Sequence, residues 1–308
     1  MKYIRIDGFH EKISRLVFGT AFISTKNINQ YSEVITEYLK LGGNIFDTAE
    51  NYGRGESEKA LGQWLEKNNY RDDVLIISKG GHPYDGKNRI TPEAIKDDLL
   101  GSLERLRTDY IDIYFLHRDN KDIPVQEIIN ELNDYYEKGF IRGFGASNWT
   151  HERIEEANEY ARKNSMKGFI CSSPNLSLAK AREPMWPGCV SIKTSDKTWY
   201  RNKQFPLFSW SSQAGGFFTG KYNSENKENE DMIRVYYSEE NWERYKRAKF
   251  LAEEKGCQPV EIALAYVLNQ EFPTTGIVGS RTIDELHSNY RALKLELSKE
   301  EVKWLNLE

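Results

Sequence analysis

The sequence predicts one α/β domain spanning residues 1–308, a (β/α)8 TIM barrel preceded by an N-terminal β-hairpin. Short apolar strands alternate with helical patterns along nearly the whole chain, about eight times. A length of 308 residues suits a barrel of ~250 residues plus insertions. The early chain lacks the GxGxxG turn that an open, doubly wound sheet would place between strand and helix.

Tyr3–Ile6 and Lys12–Phe18 alternate with period two around Asp7-Gly8 and read as a hairpin running into the first barrel strand. Gly19-Thr20-Ala21 follows that strand. Tyr31, Val34, Ile35, Tyr38 and Leu41 recur at helical spacing until Gly42-Gly43 stops the helix. The strand Ile45-Phe46 ends in Asp47, a loop carries Tyr52, Gly53 and Gly55, and a helix starts near Ser57. Val74–Lys79 is a buried-type strand with a lysine at its end. Thr91-Pro92 opens a helix through a capping hydroxyl and a first-turn proline; Ile95, Leu99, Leu103 and Leu106 form its stripe. Tyr110–Leu116 is strand-like and His117 follows it. Ile128, Ile129, Leu132, Tyr135 and Tyr136 mark a helix ended by Gly139.

The strand Phe144–Ala146 leads to Ser147-Asn148, and Ile154, Ala157, Tyr160 and Ala161 mark the next helix. Gly168–Cys171 reads as a short strand, and Met185–Ser195 has too little pattern to type. Leu207–Trp210 is a strand entering the loop Ser211–Gly220. Asn223–Asp231 reads as an exposed loop. Helices follow over Trp242–Lys255 and from Pro259. Gly276-Ile277-Val278 is the last strand, Thr282–Leu293 a helix, and Ser298 with Glu301 a capping box for a short terminal helix.

The net charge is −4 with both signs interspersed, so no electrostatic footprint for nucleic acid or an anionic membrane exists. The start lacks the apolar core of a signal peptide, and no apolar run approaches the ~18 residues of a membrane helix. A cytoplasmic protein acting on a small molecule is expected. Cys171, Cys189 and Cys257 lack metal-ligand or disulfide-framework spacing, so buried thiols and no metal site are expected.

In a parallel barrel the polar groups at C-terminal strand ends converge on one face. Asp47, Tyr52, Lys79 and His117 come from three consecutive strand ends. Singly they have ordinary roles: a turn cap, a half-buried aromatic, a strand-end charge, a core histidine. Together they suit proton transfer to a carbonyl oxygen. A tyrosine is a weak acid of pKa ~10, which a nearby ammonium lowers. Lys79 supplies the ammonium, Asp47 keeps it charged, and His117 polarises the carbonyl. None of them delivers hydride, so a reduction requires a nicotinamide cofactor.

DTAENYG with Asp47 and Tyr52, ISKGG with Lys79, DYIDIYFLHRD with His117, and GFGASNW with Ser147-Asn148 resemble the successive signatures of the aldo-keto reductase superfamily, from Phe18 to about Leu293. The resemblance implies NAD(P)H-dependent carbonyl reduction on the barrel. It implies Tyr52 as general acid in a tetrad with Asp47, Lys79 and His117. It assigns Thr20 and Asp47 to the cofactor site, and Ser147, Asn148 and Ser173 to the carboxamide, with Ser173 where glutamine is usual. Trp210 corresponds to a stacking tyrosine; its flat face serves equally. Ser211, Gln213, Gly215 and Gly216 would form a pyrophosphate loop whose small residues admit phosphate close to backbone amides. Gly279, Ser280 and Arg281 would meet a ribose phosphate, and Asn289 the adenine. Ser280 with Arg281 favours NADPH, with NADH the alternative, since Glu285 and Ser288 depart from the pattern.

Aromatic residues on strand-end loops, namely Phe22, Tyr84, Trp149, Trp186, Trp199 and Tyr200, suit flat apolar faces. Phe22, Tyr84 and Trp149 are expected to line the substrate pocket, with a sugar-type carbonyl as substrate and His82 either capping a loop or lining the pocket. Two alternatives stand beside carbonyl reduction: a nucleotide-sensing regulatory protein on the same barrel, and an aldolase-like enzyme with Lys79 as Schiff-base lysine.

Overall fold

A computed structural model describes residues 1–225 and 228–308. The chain begins with β1 (Tyr3–Ile4) and β2 (Ile13–Ser14), paired antiparallel, and enters the barrel at β3 (Leu16–Gly19). It continues through α1 (Ile28–Lys40), β4 (Ile45–Asp47), α2 (Glu56–Asn68), β5 (Leu75–Gly80), α3 (Pro92–Leu106), β6 (Ile113–Leu116), α4 (Val125–Glu137), β7 (Phe144–Ser147) and α5 (His151–Lys163). Then come β8 (Ser172–Ser173), α6 (Thr194–Lys203), β9 (Leu207–Ser209), α7 (Glu230–Tyr236), α8 (Glu239–Lys255), α9 (Pro259–Leu268), β10 (Thr274–Val278), α10 (Ile283–Ala292) and α11 (Lys299–Leu305). Strands β3 to β10 close into a parallel barrel in sequence order, with β10 paired to both β9 and β3. The expected (β/α)8 barrel and hairpin are both present.

Helix ends follow the chemistry of their residues. Thr91 Oγ1 accepts from the Ala94 amide at 3.3 Å ahead of Pro92. Ser298 and Glu301 form the reciprocal capping box, at 3.1 and 2.6 Å. Gly55, at φ 84°, adopts the left-handed backbone from which α2 starts.

Side chains along a strand point alternately to opposite faces, and that period builds the interior. Ile45, Ile77, Ile113, Phe115 and Phe208 form one buried cluster inside the barrel, while Phe46, Ile76, Tyr114 and Leu116 face the helices in another. Ile6, Phe9 and Ile13 from the hairpin region join the interior cluster, so the hairpin plugs one mouth of the barrel. Gly145 on β7 leaves room for the Phe115 ring: a Cβ there would lie 2.5 Å from it.

Three expectations are corrected. Gly168–Cys171 is not a strand: Ile170 N and Cys171 O each bond β7, but regular pairing is confined to Ser172–Ser173 on β7 and Ser172 on β9. The Asn158 amide takes both the N–H and the C=O of Phe169, at 2.7 and 3.0 Å, so those groups never join the ladder. Trp199 and Tyr200 lie on α6 rather than on a loop, packed against Phe205 and Phe272. The segment Asn223–Asp231 is not all loop, because α7 starts at Glu230 with Asn229 as its cap; residues 226 and 227 lie outside the described residues.

Phe115→Ala is expected to lower stability by ~3–5 kcal/mol, and Gly145→Val, pressing on the same ring, by ~1–3 kcal/mol. Urea unfolding midpoints check both.

Candidate active site

The alternation that fills the barrel also builds the site above it. On β4 the inward residues are Ile45 and Asp47; on β5 they are Leu75, Ile77 and Lys79. On β6, Ile113 and Phe115 point inward, and His117 is the next residue of that period. The register pairs Asp47 with Ile77 and Lys79 with Phe115, so each strand lifts its polar residue above an apolar layer. His117 keeps the ladder beyond β6 by donating its amide to Gly80 O at 2.8 Å.

Lys79 is 2% exposed and its ammonium is fully engaged. Its Nζ lies 2.7 Å from Asp47 Oδ1 and donates to Thr48 O at 2.9 Å and to the Tyr52 hydroxyl at 3.1 Å. Burial alone would push the lysine pKa down and the carboxyl up. Asp47 and Tyr52 oppose it at the lysine, which ends above its ordinary value. The Asp47 carboxyl ends above its ordinary value because burial outweighs Lys79, while the lysine keeps its charge. This counts against the Schiff-base reading, which needs a neutral amine.

Tyr52 stands edge-on to His117, ring centroids 5.9 Å apart. Lys79 lowers the tyrosine pKa as expected, but it does not decide the net shift. Burial raises it more than Lys79 and Arg118 lower it, so the phenol is protonated at neutral pH. His117 is driven well below the ordinary histidine value by burial first, then by Lys79, Arg118 and His82. It is neutral at physiological pH.

These residues line a cavity of about 550 Å³. Asp47, Tyr52, Lys79 and His117 meet there with Ser147, Asn148, Trp210, Ser211 and Gly279. One opening thus joins the proton-handling cluster to the loops after β9 and β10, where barrels commonly bind phosphate. The Asn148 Oδ1 accepts from Trp210 Nε1 and the Val190 amide, each at 3.1 Å. Its Nδ2 donates to His117 O and Ser147 Oγ, both at 3.2 Å. Ser147 Oγ donates to Ser173 O at 3.0 Å, while the buried Ser173 Oγ has no partner among the described residues. After β9 the backbone is left-handed at Ser211, Ala214, Gly215 and Gly216, with φ of 47°, 51°, 62° and 84°. Gln213, at φ −108° and ψ 21°, interrupts this run, and the Ala214 and Gly216 amides donate to Ser211 O and Gln213 O at 2.8 and 3.0 Å, closing a tight turn. Gln213 donates to Asn289 at 2.8 Å, and Asn289 to the buried Ser280 Oγ at 2.9 Å, tying the two loops together. Arg281 is exposed; its guanidinium sits 5.2 Å from the Phe22 ring.

Thr20, Tyr84 and Trp149 do not line this cavity. Thr20 is fully buried, its hydroxyl spent on Asp47 O at 3.0 Å and on Ser57. Tyr84 donates to Glu50 at 2.9 Å. Trp149, 1% exposed, donates to Arg118 O at 2.8 Å, packs on Phe169 and lines a neighbouring cavity. Phe22 does line the site, and so does His82, which also bonds Pro83 O. Of the cysteines, Cys189 lines the cavity and Cys257 is only partly buried. Sequence reasoning passed over Arg118 and Asn51, which line the cavity too. The signal for Arg118 was its place directly after His117. Beyond the strand end, however, the two-residue period no longer says where a side chain points.

Residues 15–306 match the model of the aldo/keto reductase family. This chain belongs to that family. The aldo/keto reductase is similar to an uncharacterized oxidoreductase, YrpG, of Bacillus subtilis, at 26% identity over 99% of this chain and 95% of that protein. It is 28% identical to the norsolorinic acid reductase stcV of Emericella nidulans, over 94% and 77%. It is 24% identical to a probable voltage-gated potassium channel subunit beta of Arabidopsis thaliana, over 95% and 91%. Among solved structures, a glycerol dehydrogenase of Gluconobacter oxydans shares the fold with a TM-score of 0.79 at 23% identity, covering 99% of this chain and 94% of that one. A thermostable aldo-keto reductase bound to epalrestat does so with 0.78 at 23%, covering 100% and 99%. The family and the oxidoreductase relatives make this chain an oxidoreductase of the carbonyl-reducing kind. Among the described residues, no helix is long and apolar enough to cross a membrane, and no cluster of acids, histidines and cysteines has metal-binding geometry.

Asp47→Asn leaves the buried Lys79 charge without its counter-ion and is expected to cost ~3–5 kcal/mol of stability. Adding Lys79→Met to Asp47→Asn should recover part of that loss. A double-mutant cycle by chemical denaturation checks the coupling.

Proposed function

We propose that this aldo/keto reductase converts an aldehyde or ketone to an alcohol with a nicotinamide nucleotide as reductant and Tyr52 as general acid. The observation that carries the reading is the Tyr52 hydroxyl, held 3.1 Å from Lys79 Nζ in a cavity continuous with the loops after β9 and β10. When bound, the nicotinamide supplies the hydride. Tyr52 keeps its proton at neutral pH and gives it to the carbonyl oxygen as negative charge develops there. The Lys79 ammonium stabilises the phenolate left behind, and Asp47 holds that ammonium charged and oriented. His117, neutral, aligns the carbonyl by a hydrogen bond without competing as an acid.

The residues present fit the cofactor. The unpartnered Ser173 Oγ, beside Ser147 and Asn148, suits a carboxamide. Trp210 offers a flat face for stacking. The tight turn after Gln213, left-handed at Gly215 and Gly216, leaves room for a pyrophosphate to approach the backbone. Gly279, Ser280, Arg281 and Asn289 belong to the adenosine end. NADPH is the preferred form, because the Arg281 side chain is exposed and makes no ion pair among the described residues. A sugar-type carbonyl remains the working substrate class, with Phe22 and Trp186 as the flat walls.

The nucleotide-sensing alternative would use the same cradle, and one relative is described as a channel subunit. The tetrad, complete down to the tyrosine–lysine hydrogen bond, supports the enzyme instead.

Tyr52→Phe is expected to lower kcat by ~10²–10⁴-fold, with the cofactor dissociation constant unchanged. Wild-type turnover by this variant would refute the proton-donor role. Lack of nicotinamide oxidation by the native chain across a broad carbonyl panel would favour sensing. The basic limb of the kcat/KM profile for reduction should lie above the ordinary tyrosine value of 10.0, because the acid form is needed and burial raises its pKa. Arg281→Ala should weaken NADPH binding ~10–100-fold, as loss of a charged hydrogen bond predicts, and leave NADH binding unchanged. Fluorescence titration of both nucleotides checks it.

A further inference from the structure

The walls of the catalytic cavity do not balance electrically. Its charged lining residues are Asp47, Lys79 and Arg118. Asp47 and Lys79 neutralise each other at 2.7 Å. The two lining histidines, His82 and His117, both have lowered pKa values, from burial first and then from cationic neighbours that include Arg118. The Arg118 guanidinium, always ionised, is therefore the uncompensated charge, and the residue is only 5% exposed.

Its bonds are few and go to neutral groups. Nε donates to Pro187 O at 3.1 Å and Nη1 to His117 O at 2.8 Å. Nη2 takes no acceptor and the side chain forms no ion pair among the described residues. A charge withdrawn from water without a counter-ion is costly, and proteins normally pair it. The chain invests in keeping this one still. Gly188 lies over the arginine stem, so close that a Cβ there would stand 3.1 Å from Cδ, and its φ of 73° suits glycine. Trp149 grips the Arg118 carbonyl from behind at 2.8 Å. The glycine turn after β9, with Gln213 tied to Asn289, does not include Arg118, and the proposed reading seats the cofactor's phosphates at that turn.

We propose that Arg118 is an anion subsite for the substrate: the carbonyl compound carries a carboxylate or phosphate group that pairs with this guanidinium while its C=O lies at Tyr52 and His117. A planar fork with free donors matches either group. Phe22 and Trp186 flank the same cavity and bound the carbon skeleton. This assignment rests on the carbonyl-reductase reading for its catalytic half, but its binding half stands apart.

The test has two readouts on the full chain. With NADPH, kcat/KM is compared within matched pairs: glyceraldehyde phosphate against glyceraldehyde, and succinic semialdehyde against its methyl ester. The anionic member of at least one pair should be preferred at least about tenfold, mainly through KM, as loss of a charged hydrogen bond would predict. Which pair responds distinguishes phosphate from carboxylate. Arg118→Met should collapse that ratio toward one, and Arg118→Lys should keep part of it.

Separately, glycerol phosphate and succinate are titrated against glycerol and dimethyl succinate, read by the fluorescence of the cavity tryptophans Trp186 and Trp210. At least one anion should bind the native chain tighter than its neutral counterpart, and Arg118→Met should abolish the difference. Anion binding without reduction of any aldehyde would keep the subsite and sink the reductase reading. Reduction with no anionic preference, or equal binding of anion and neutral probe, would overturn the subsite.

Discussion

An ammonium ion buried to 2% exposure inside a barrel mouth imposes conditions on everything around it. Lys79 satisfies them with a carboxylate at 2.7 Å, a carbonyl at 2.9 Å and a phenol at 3.1 Å. All three acceptors come from one neighbouring strand and the loop it feeds, so β4 must lie beside β5 in the observed register. Below the cluster, Ile45, Ile77 and Phe115 exclude water. Exclusion strengthens the ion pair's attraction and raises the cost of breaking it. Stability and chemistry thus share one contact. The interaction that lets lysine be buried also aims it at the tyrosine oxygen.

The same dry setting assigns protonation states. Burial holds Tyr52 as a phenol although a cation lies within hydrogen-bond distance. It holds His117 neutral, and the neighbouring Lys79, Arg118 and His82 push in the same direction. On the proposed reading, an acid that keeps its proton and a neutral imidazole that donates a hydrogen bond divide the labour without competition. Arg118 alone departs from this economy. Its charge has no counter-ion among the described residues, and the chain clamps it rather than relieving it. The cavity is therefore asymmetric, with a protonated phenol at one wall and an unpaired cation at another.

A large part of the molecule was legible in residue order. Alternating strands and helices announced the barrel, and the two-residue period placed Asp47 and Lys79 inward above apolar layers. Capping residues such as Thr91 and Ser298 marked their helix starts through local hydrogen bonds, which need no distant partner. What failed was decided at longer range. Phe169 gave up strand pairing because an asparagine on α5 reached its backbone. Trp149 and Tyr84 turned away from the cavity to bond Arg118 O and Glu50.

The sequence by itself determined the barrel, its N-terminal hairpin and the convergence of Asp47, Tyr52, Lys79 and His117. Period, strand order and a specific set of ordered motifs carry that information locally. Only the tertiary structure decided the electrical character of the site. Charge balance depends on distances between groups from different strands and on how much water the packing excludes, and neither quantity is written in any single segment. That is why Arg118, one residue beyond His117, went unread until the fold set it, unpaired, in the cavity wall.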